Sequence, residues 1–252
     1  MDAGILLPAL AAGLLVLLSH VPLGMEVLKR GIIFVDLAIA QIAGLGLILA
    51  ATLGLETHGW ATQAIALISA GVGAVLIHWL ETRFADVLEA IIGVIFVLAA
   101  TGSLLLLAHN PHGSEHLKDL LSGQILWADM EQLRTLGLIS VGIACFWLLA
   151  GQSWRQRLFY PVFALAVTSS VQVVGVYLVF SSLIIPALAT IRLQGAKRLL
   201  MAYAIGALGY ALGLVLSVVF DLPSGALIVW TLAGVTTLAA IIIASRRYPP
   251  GT

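Results

Sequence analysis

Residues 160–191 read YPVFALAVTSSVQVVGVYLVFSSLIIPALATI, an apolar stretch without a charged side chain. A single helix crosses the hydrocarbon core of a bilayer with about 20 residues, so this stretch is long for one crossing. We interpret it as two short membrane helices that turn near Val174-Gly175-Val176. This interpretation sets the number of crossings, and that number decides on which side of the membrane each loop lies.

The rest of the chain is as apolar as this stretch. Hydrophobic residues make up 61% and charged residues 10% of the 252 positions, whereas soluble domains average about 45 to 50% and about 25%. A water-soluble fold of this size cannot bury so much apolar surface. The sequence therefore predicts an all-α, polytopic membrane helix bundle, with residues 1–252 forming a single transmembrane domain.

Eight or nine membrane helices fit the distribution of apolar segments, because backbone polar groups find no water in the hydrocarbon layer. We expect the first to be retained, since no basic region or small-residue cleavage motif accompanies it. With nine crossings, the predicted segments are Gly4 to Ser19, Gly31 to Leu53, Ala61 to Leu80, Leu88 to Ala108, Leu133 to Ala150, Tyr160 to Val174, Gly175 to Ile191, Leu199 to Phe220 and Gly225 to Ala244.

The distribution of lysine and arginine orients the chain, because these residues stay on the cytoplasmic side near helix ends. Nine crossings put ten of them on one face and only Lys118 and Arg134 on the other, whereas eight crossings split them five against seven. We therefore expect an outside N-terminus in a bacterial inner membrane. The 12 acidic and 12 basic residues cancel, which predicts no nucleic-acid partner.

Asp36 is the most informative single residue, because it lies within the second apolar segment. A carboxylate there is costly unless it faces a partner or a wet cavity. Gln41 follows on the same helix, offset by roughly 140° around its axis, so we expect one of the two to line a path rather than both. The alternative is that Asp36 lies at the cytoplasmic boundary and pairs with a basic loop.

A second group of candidate ligands lies in the longest predicted outer loop. His109, His112, Glu115 and His116 fall within eight residues, and imidazole with carboxylate suits zinc and similar divalent ions. These side chains could bind one ion. They could equally be solvated residues of an ordinary polar loop.

Other polar residues carry weaker predictions. We expect His20 and His78 to be boundary residues at cytoplasmic helix ends, and Cys145 to be a small apolar side chain. Neither a P-loop nor a common hydrolase motif occurs, so we expect no cofactor in this chain.

Three parts of the chain resemble one known family, the permeases of zinc/manganese/iron-type ABC importers. The similar stretches are residues 23–36 with 40–44, residues 90–96 with 119–126, and residues 174–187 with 221–226. Together they cover most of the sequence, and the third pair is the most specific.

The resemblance implies a type II ABC importer-like permease that works as a dimer; we expect a homodimer, and a heterodimer stays open. Its implied partners are two cytoplasmic ATPase subunits, which would hydrolyse the ATP, and a periplasmic metal-binding protein. Residues 190–198 would dock on the ATPase. The implied cargo is a divalent transition metal, with zinc the leading candidate and manganese or iron the others; the direction of transport stays open.

Two departures from the family pattern concern function. The family's metal-path histidine, close after the aspartate, corresponds here to Ala40 or Gln41. Only Asp36 therefore carries over as a metal ligand. The family's cytoplasmic Asp-Pro-Glu-x-Ala helix corresponds to residues 151–157, which contain no acid.

Two other functions remain open from the sequence alone. An ATP-independent channel or carrier would transport metal without any partner subunit. An intramembrane metalloenzyme would hold a catalytic zinc ion with the outer histidines and Glu115.

Overall fold

The computed structural model describes residues 3–53, 60–85, 88–107 and 125–245. These residues form α-helices, one 3-10 helix and short connections, and the described ranges contain no strand. The α-helices are α1 (Ala3–Arg30), α2 (Val35–Thr52), α3 (Trp60–Arg83), α4 (Leu88–Leu107), α5 (Met130–Leu149), α6 (Gln152–Arg157), α7 (Phe159–Val174), α8 (Val176–Ala189), α9 (Gly195–Phe220) and α10 (Ser224–Ser245). The predicted all-α class is confirmed.

Membrane-spanning length is reached by α1, α2, α3, α5 and α9 in the described part of the chain. Shorter apolar helices lie within α4, α7, α8 and α10. Each of these nine corresponds to one predicted segment. The remaining α-helix, α6, has only 6 residues and connects α5 to α7.

Helix α1 is longer than predicted, and this corrects the prediction for His20. We expected the first segment to end at Ser19, but the helix continues through Pro22 to Arg30. His20 therefore lies within α1, fully buried, with Nδ1 2.9 Å from the Val16 carbonyl oxygen. It is not a boundary residue.

Proline does not end α1 because another helix satisfies the carbonyl group that it leaves free. Pro22 has no N–H to donate to the carbonyl of Leu18, four residues earlier. The hydroxyl of Tyr203 on α9 donates to that carbonyl at 2.9 Å. In lipid such a bond is the way in which a helix tolerates proline, since water is not available.

The turn predicted near Val174-Gly175-Val176 is confirmed at Gly175, which separates α7 from α8. Helix α7 runs antiparallel to α3. The ring of Tyr160 lies 5.3 Å from that of His78 at one end, and Gln63 donates to Gln172 at the other. Helix α7 therefore spans most of the length of α3.

Helix α8 returns toward the end of the bundle where α7 begins. Its Leu183 carbonyl packs directly against Gly24, near the C-terminus of α1, where a larger side chain would not fit. Its first turn, at Tyr177, instead lies beside Trp127 and the α9–α10 turn at the opposite end. The two helices are therefore separate passes that change direction at one residue.

The nine long helices alternate in direction through the bundle. The connections between them place most of the lysine and arginine residues at one end. Arg30 bonds both Glu81 and the Gln156 carbonyl, which brings the ends of α1, α3 and α6 together. Among the described residues, this end carries Lys29, Arg30, Arg83, Arg155, Arg157, Arg192, Lys197 and Arg198. We call it the inner end, following the positive-inside rule.

We expect Gly175→Ala to lower the free energy of unfolding by about 1 to 3 kcal/mol, because φ of +81° with ψ of 162° is a conformation that only glycine adopts easily. Thermal unfolding in detergent, followed by circular dichroism, measures this loss. The control is Gly142→Ala in α5, where an added methyl group would meet no atom within 4 Å. Equal stability of both variants would contradict the role of Gly175.

Candidate metal site and pathway

Asp36 is buried inside the protein at the start of α2. It lies in the first turn of the helix, which follows Phe34, and its exposed fraction is 1%. Neither carboxylate oxygen has a hydrogen-bond partner within the described ranges. The side chain is thus shielded from both lipid and headgroups.

The alternative prediction was that Asp36 lies at the cytoplasmic boundary and pairs with a basic loop; Asp36 does lie at the inner end of α2, but no such pair occurs among the described residues. Arg30, the nearest arginine in sequence, bonds two other acids, with 3.1 Å to Glu26 and 3.4 Å to Glu81. Its guanidinium carbon also lies 4.2 Å from the centre of the Phe159 ring. None of the ion pairs found among the described residues includes Asp36.

An unpaired carboxylate in this position is able to bind a cation. Placing a charged aspartate at the centre of a membrane helix costs about 2.5 to 3.5 kcal/mol on insertion scales, and the cost is smaller near a helix end such as this one. The positive end of the α2 dipole offsets part of this cost, because Asp36 lies in the first turn. Both oxygens are free to bind a cation, which would supply the remaining compensation.

Gln41 lies on a different side of α2, at the wall of a cavity of about 810 Å³. The cavity lies between α2, α4, α8 and α10, and its walls include Phe96, Tyr177, Phe180 and Trp230. Asp36 is not among the lining residues. The two side chains therefore lie on different sides of α2, and whether either lines a metal path stays a prediction.

A second cavity of about 530 Å³ lies toward the end opposite Arg30. It is lined by the 3-10 helix Ile125–Trp127 and by the turn around Pro223. Tyr177, Ala226 and Val229 line both cavities. The two spaces therefore adjoin at these residues.

The position of the family's histidine offers no ligand beside Asp36. Ala40 lies one helical turn after the aspartate, where an imidazole would be adjacent, and it is buried. Any further ligand for an ion held by Asp36 must come from another helix, from solvent or from the cargo's own hydration shell.

Glu89 is a second acid at the same end that the sequence reasoning missed. It lies in the first turn of α4, and its Oε1 accepts a hydrogen bond of 3.3 Å from the Phe34 backbone N–H. Its Oε2 is buried without a partner in the described ranges. Glu89 also lies close enough to Asp36 for the two carboxylates to repel each other when both are ionised.

The predicted outer cluster lies outside the described residues. This applies to His109, His112, Glu115 and His116, whose role stays a prediction. Within the described ranges no group of three or more histidine, cysteine, aspartate or glutamate side chains could hold a metal ion. His78, by contrast, is exposed at the inner end, as expected of a boundary residue.

A comparison with protein families decides what kind of chain this is. The sequence profile of the ABC 3 transport family matches residues 2–156 and 153–244. The chain belongs to this family. It is therefore a membrane component of ABC transport rather than an enzyme, and the resemblance seen in the sequence is confirmed.

Two solved structures share this fold. PsaBC from Streptococcus pneumoniae, solved in complex with a Fab, matches with a TM-score of 0.77 and 19% identity over 97% of this chain and 94% of that one. A transporter assigned to the metal-chelate ABC type, in an inward-facing conformation, matches with a TM-score of 0.59 and 17% identity, over 95% and 84%. No curated protein sequence is significantly similar to the chain.

We expect Glu89→Ala to lower the free energy of unfolding by about 1 kcal/mol, because the Phe34 N–H at the start of α2 would lose its acceptor. Glu89→Gln retains an oxygen that can accept this bond and should unfold close to the wild type. Thermal unfolding of the two purified variants in detergent distinguishes them. If Glu89→Ala is as stable as the wild type, Glu89 does not cap α2.

Proposed function

We propose that this chain is the membrane-spanning permease subunit of an ABC transporter for a divalent transition metal, with zinc as the leading cargo and manganese or iron as the others. The observation that carries the cation cargo is the buried Asp36 carboxylate, which has no protein partner in the described ranges. Membership of the ABC 3 transport family supports the transport role.

The nature of the cargo has further support. One structural relative is described as an ABC transporter of metal-chelate type. An anionic oxygen ligand is a common feature of divalent-metal sites. A free carboxylate in a transport chain suits such an ion better than an anionic or apolar solute, which it would repel or fail to bind.

In the proposed route, the ion enters from the outer face, where His109, His112, Glu115 and His116 could bind it first. The two adjoining cavities then lead inward as far as Gln41, whose amide oxygen can coordinate a partly hydrated ion. Asp36, the only acid on α2, lines neither cavity and would be the next ligand once the helices move. ATP-driven closure of the partner subunits would tilt the helices and release the ion to the inside.

The proposed assembly is a homodimer of this chain with two cytoplasmic ATPase subunits and a periplasmic metal-binding protein, in a bacterial inner membrane. Residues 190–198 are exposed along most of their length at the inner end and carry Arg192, Lys197 and Arg198. This position suits a docking surface for the ATPase. ATP hydrolysis would occur in that partner.

We expect Asp36→Asn to reduce metal transport by about tenfold or more, because a neutral amide binds a divalent cation more weakly than a carboxylate does. The measurement is uptake of radioactive zinc into liposomes that contain the permease with its ATPase and binding protein. Metal-dependent ATP hydrolysis by the same liposomes gives a second readout.

The matched control is Glu131→Gln, which removes an exposed acid in the first turn of α5 at the outer end. It should transport as the wild type does. Wild-type rates for Asp36→Asn would exclude Asp36 from the route. Zinc transport by the chain alone, without ATPase subunits, would instead favour an ATP-independent channel or carrier.

A further inference from the structure

The short helix α6 occupies a distinctive position between two long helices at the inner end. It has 6 residues and follows α5 after only Ala150 and Gly151. None of its residues is buried. Its surface is therefore available to something other than the bundle.

The length of α5 fixes the depth of α6 in the membrane. Helix α5 has 20 residues, which at about 1.5 Å per residue gives about 30 Å, the thickness of the hydrocarbon core. Its last two residues, Leu148 and Leu149, are 70% and 86% exposed. The exposed leucines fit the edge of the hydrocarbon layer, and α6 then begins at the level of the headgroups.

The side chains of α6 suit this level. Trp154 is 59% exposed, and tryptophan is enriched at the membrane–water interface because its ring is apolar and its N–H is polar. Arg155 donates to the Ala150 carbonyl at 2.8 Å and lies over the Trp147 ring, so it holds α6 against the end of α5. Arg157 is exposed and leaves its guanidinium free for an external ligand.

The stretch of sequence that contains α6 carries charge of one sign, and the acids near it in space, Glu26 and Glu81, are paired with Arg30. No aspartate or glutamate occurs from position 132 to position 220. Neither Arg155 nor Arg157 takes part in an ion pair among the described residues. The ligand that complements this surface is therefore anionic.

We propose that α6, with the exposed end of α5, binds the headgroups of anionic phospholipids in the inner leaflet. Arg157 contacts the phosphate, and Trp154 lies at the glycerol level. Leu148 and Leu149 contact the acyl chains. This function goes beyond transport and does not depend on the identity of the cargo.

A lipid fits this surface better than an acidic face of the partner ATPase. A water-soluble subunit could bind only the arginines, because Leu148 and Leu149 lie at the edge of the hydrocarbon layer. Lipid supplies both the phosphate and the hydrocarbon in one molecule. The juxtaposition of exposed leucine, tryptophan and unpaired arginine within ten residues is typical of interfacial membrane binding.

The test is a lipid titration of the purified full chain in detergent, followed by native mass spectrometry. Phosphatidylglycerol and phosphatidylcholine are added in separate series. We expect the wild type to retain phosphatidylglycerol preferentially. Arg157→Gln should weaken this binding by about fivefold, with phosphatidylcholine binding unchanged.

The control is Arg134→Gln, which removes an exposed arginine near the outer end of the same helix, α5. It should leave phosphatidylglycerol binding unaltered. Trp154→Ala provides a second variant at the proposed site and should weaken the binding of both lipids. Thermal unfolding of each variant shows that the fold is retained.

Two outcomes would overturn the proposal. In the first, Arg157→Gln retains phosphatidylglycerol as well as the wild type does. In the second, Arg157→Gln and Arg134→Gln weaken the binding equally, so that the lipid responds to net charge alone. If Arg157→Gln instead loses ATP hydrolysis in the assembled complex while its lipid binding is unchanged, the surface belongs to the ATPase interface.

Discussion

The carboxylate of Asp36 is the constraint on which the functional interpretation depends. It lies in an apolar bundle with both oxygens unpaired in the described ranges, although the dipole of α2 favours it. Arg30, the closest basic residue in sequence, is fully engaged by Glu26 and Glu81. The bundle thus denies the acid its nearest basic partner, which is the observation on which the proposed cation cargo rests.

The break at Gly175 determines where α8 lies in the bundle. Because α7 and α8 are separate passes, α8 can lie against α1 at Gly24 and also form a wall of the cavity that Gln41 lines. One continuous helix through residues 160–191 could not do both. The same break gives the odd number of crossings that collects the arginine and lysine residues at one end.

Much of the fold could be predicted from the sequence, because hydropathy in a bilayer is a strong constraint. Nine apolar segments, the turn at Gly175 and the family all emerged from residue patterns. The length of α1 did not, since His20 and Pro22 suggest a helix end. The compensating bond comes from Tyr203, more than 180 positions away, and no local pattern contains it.

The candidate site was less predictable than the fold, because part of it also depends on contacts between helices that are distant in sequence. Asp36 is conspicuous because it interrupts an apolar run, whereas Glu89 resembles an ordinary acid at a helix start. Only the approach of α4 to α2 shows that Glu89 meets the Phe34 N–H.

The Arg30 contacts also have a mechanical consequence. A single guanidinium touches groups from α1, α3 and α6 and lies over the first ring of α7. Elements joined through one planar, multidentate group cannot shift independently without breaking several charge-assisted bonds together. Force applied by a partner at this surface would consequently move the ends of α1, α3, α6 and α7 together.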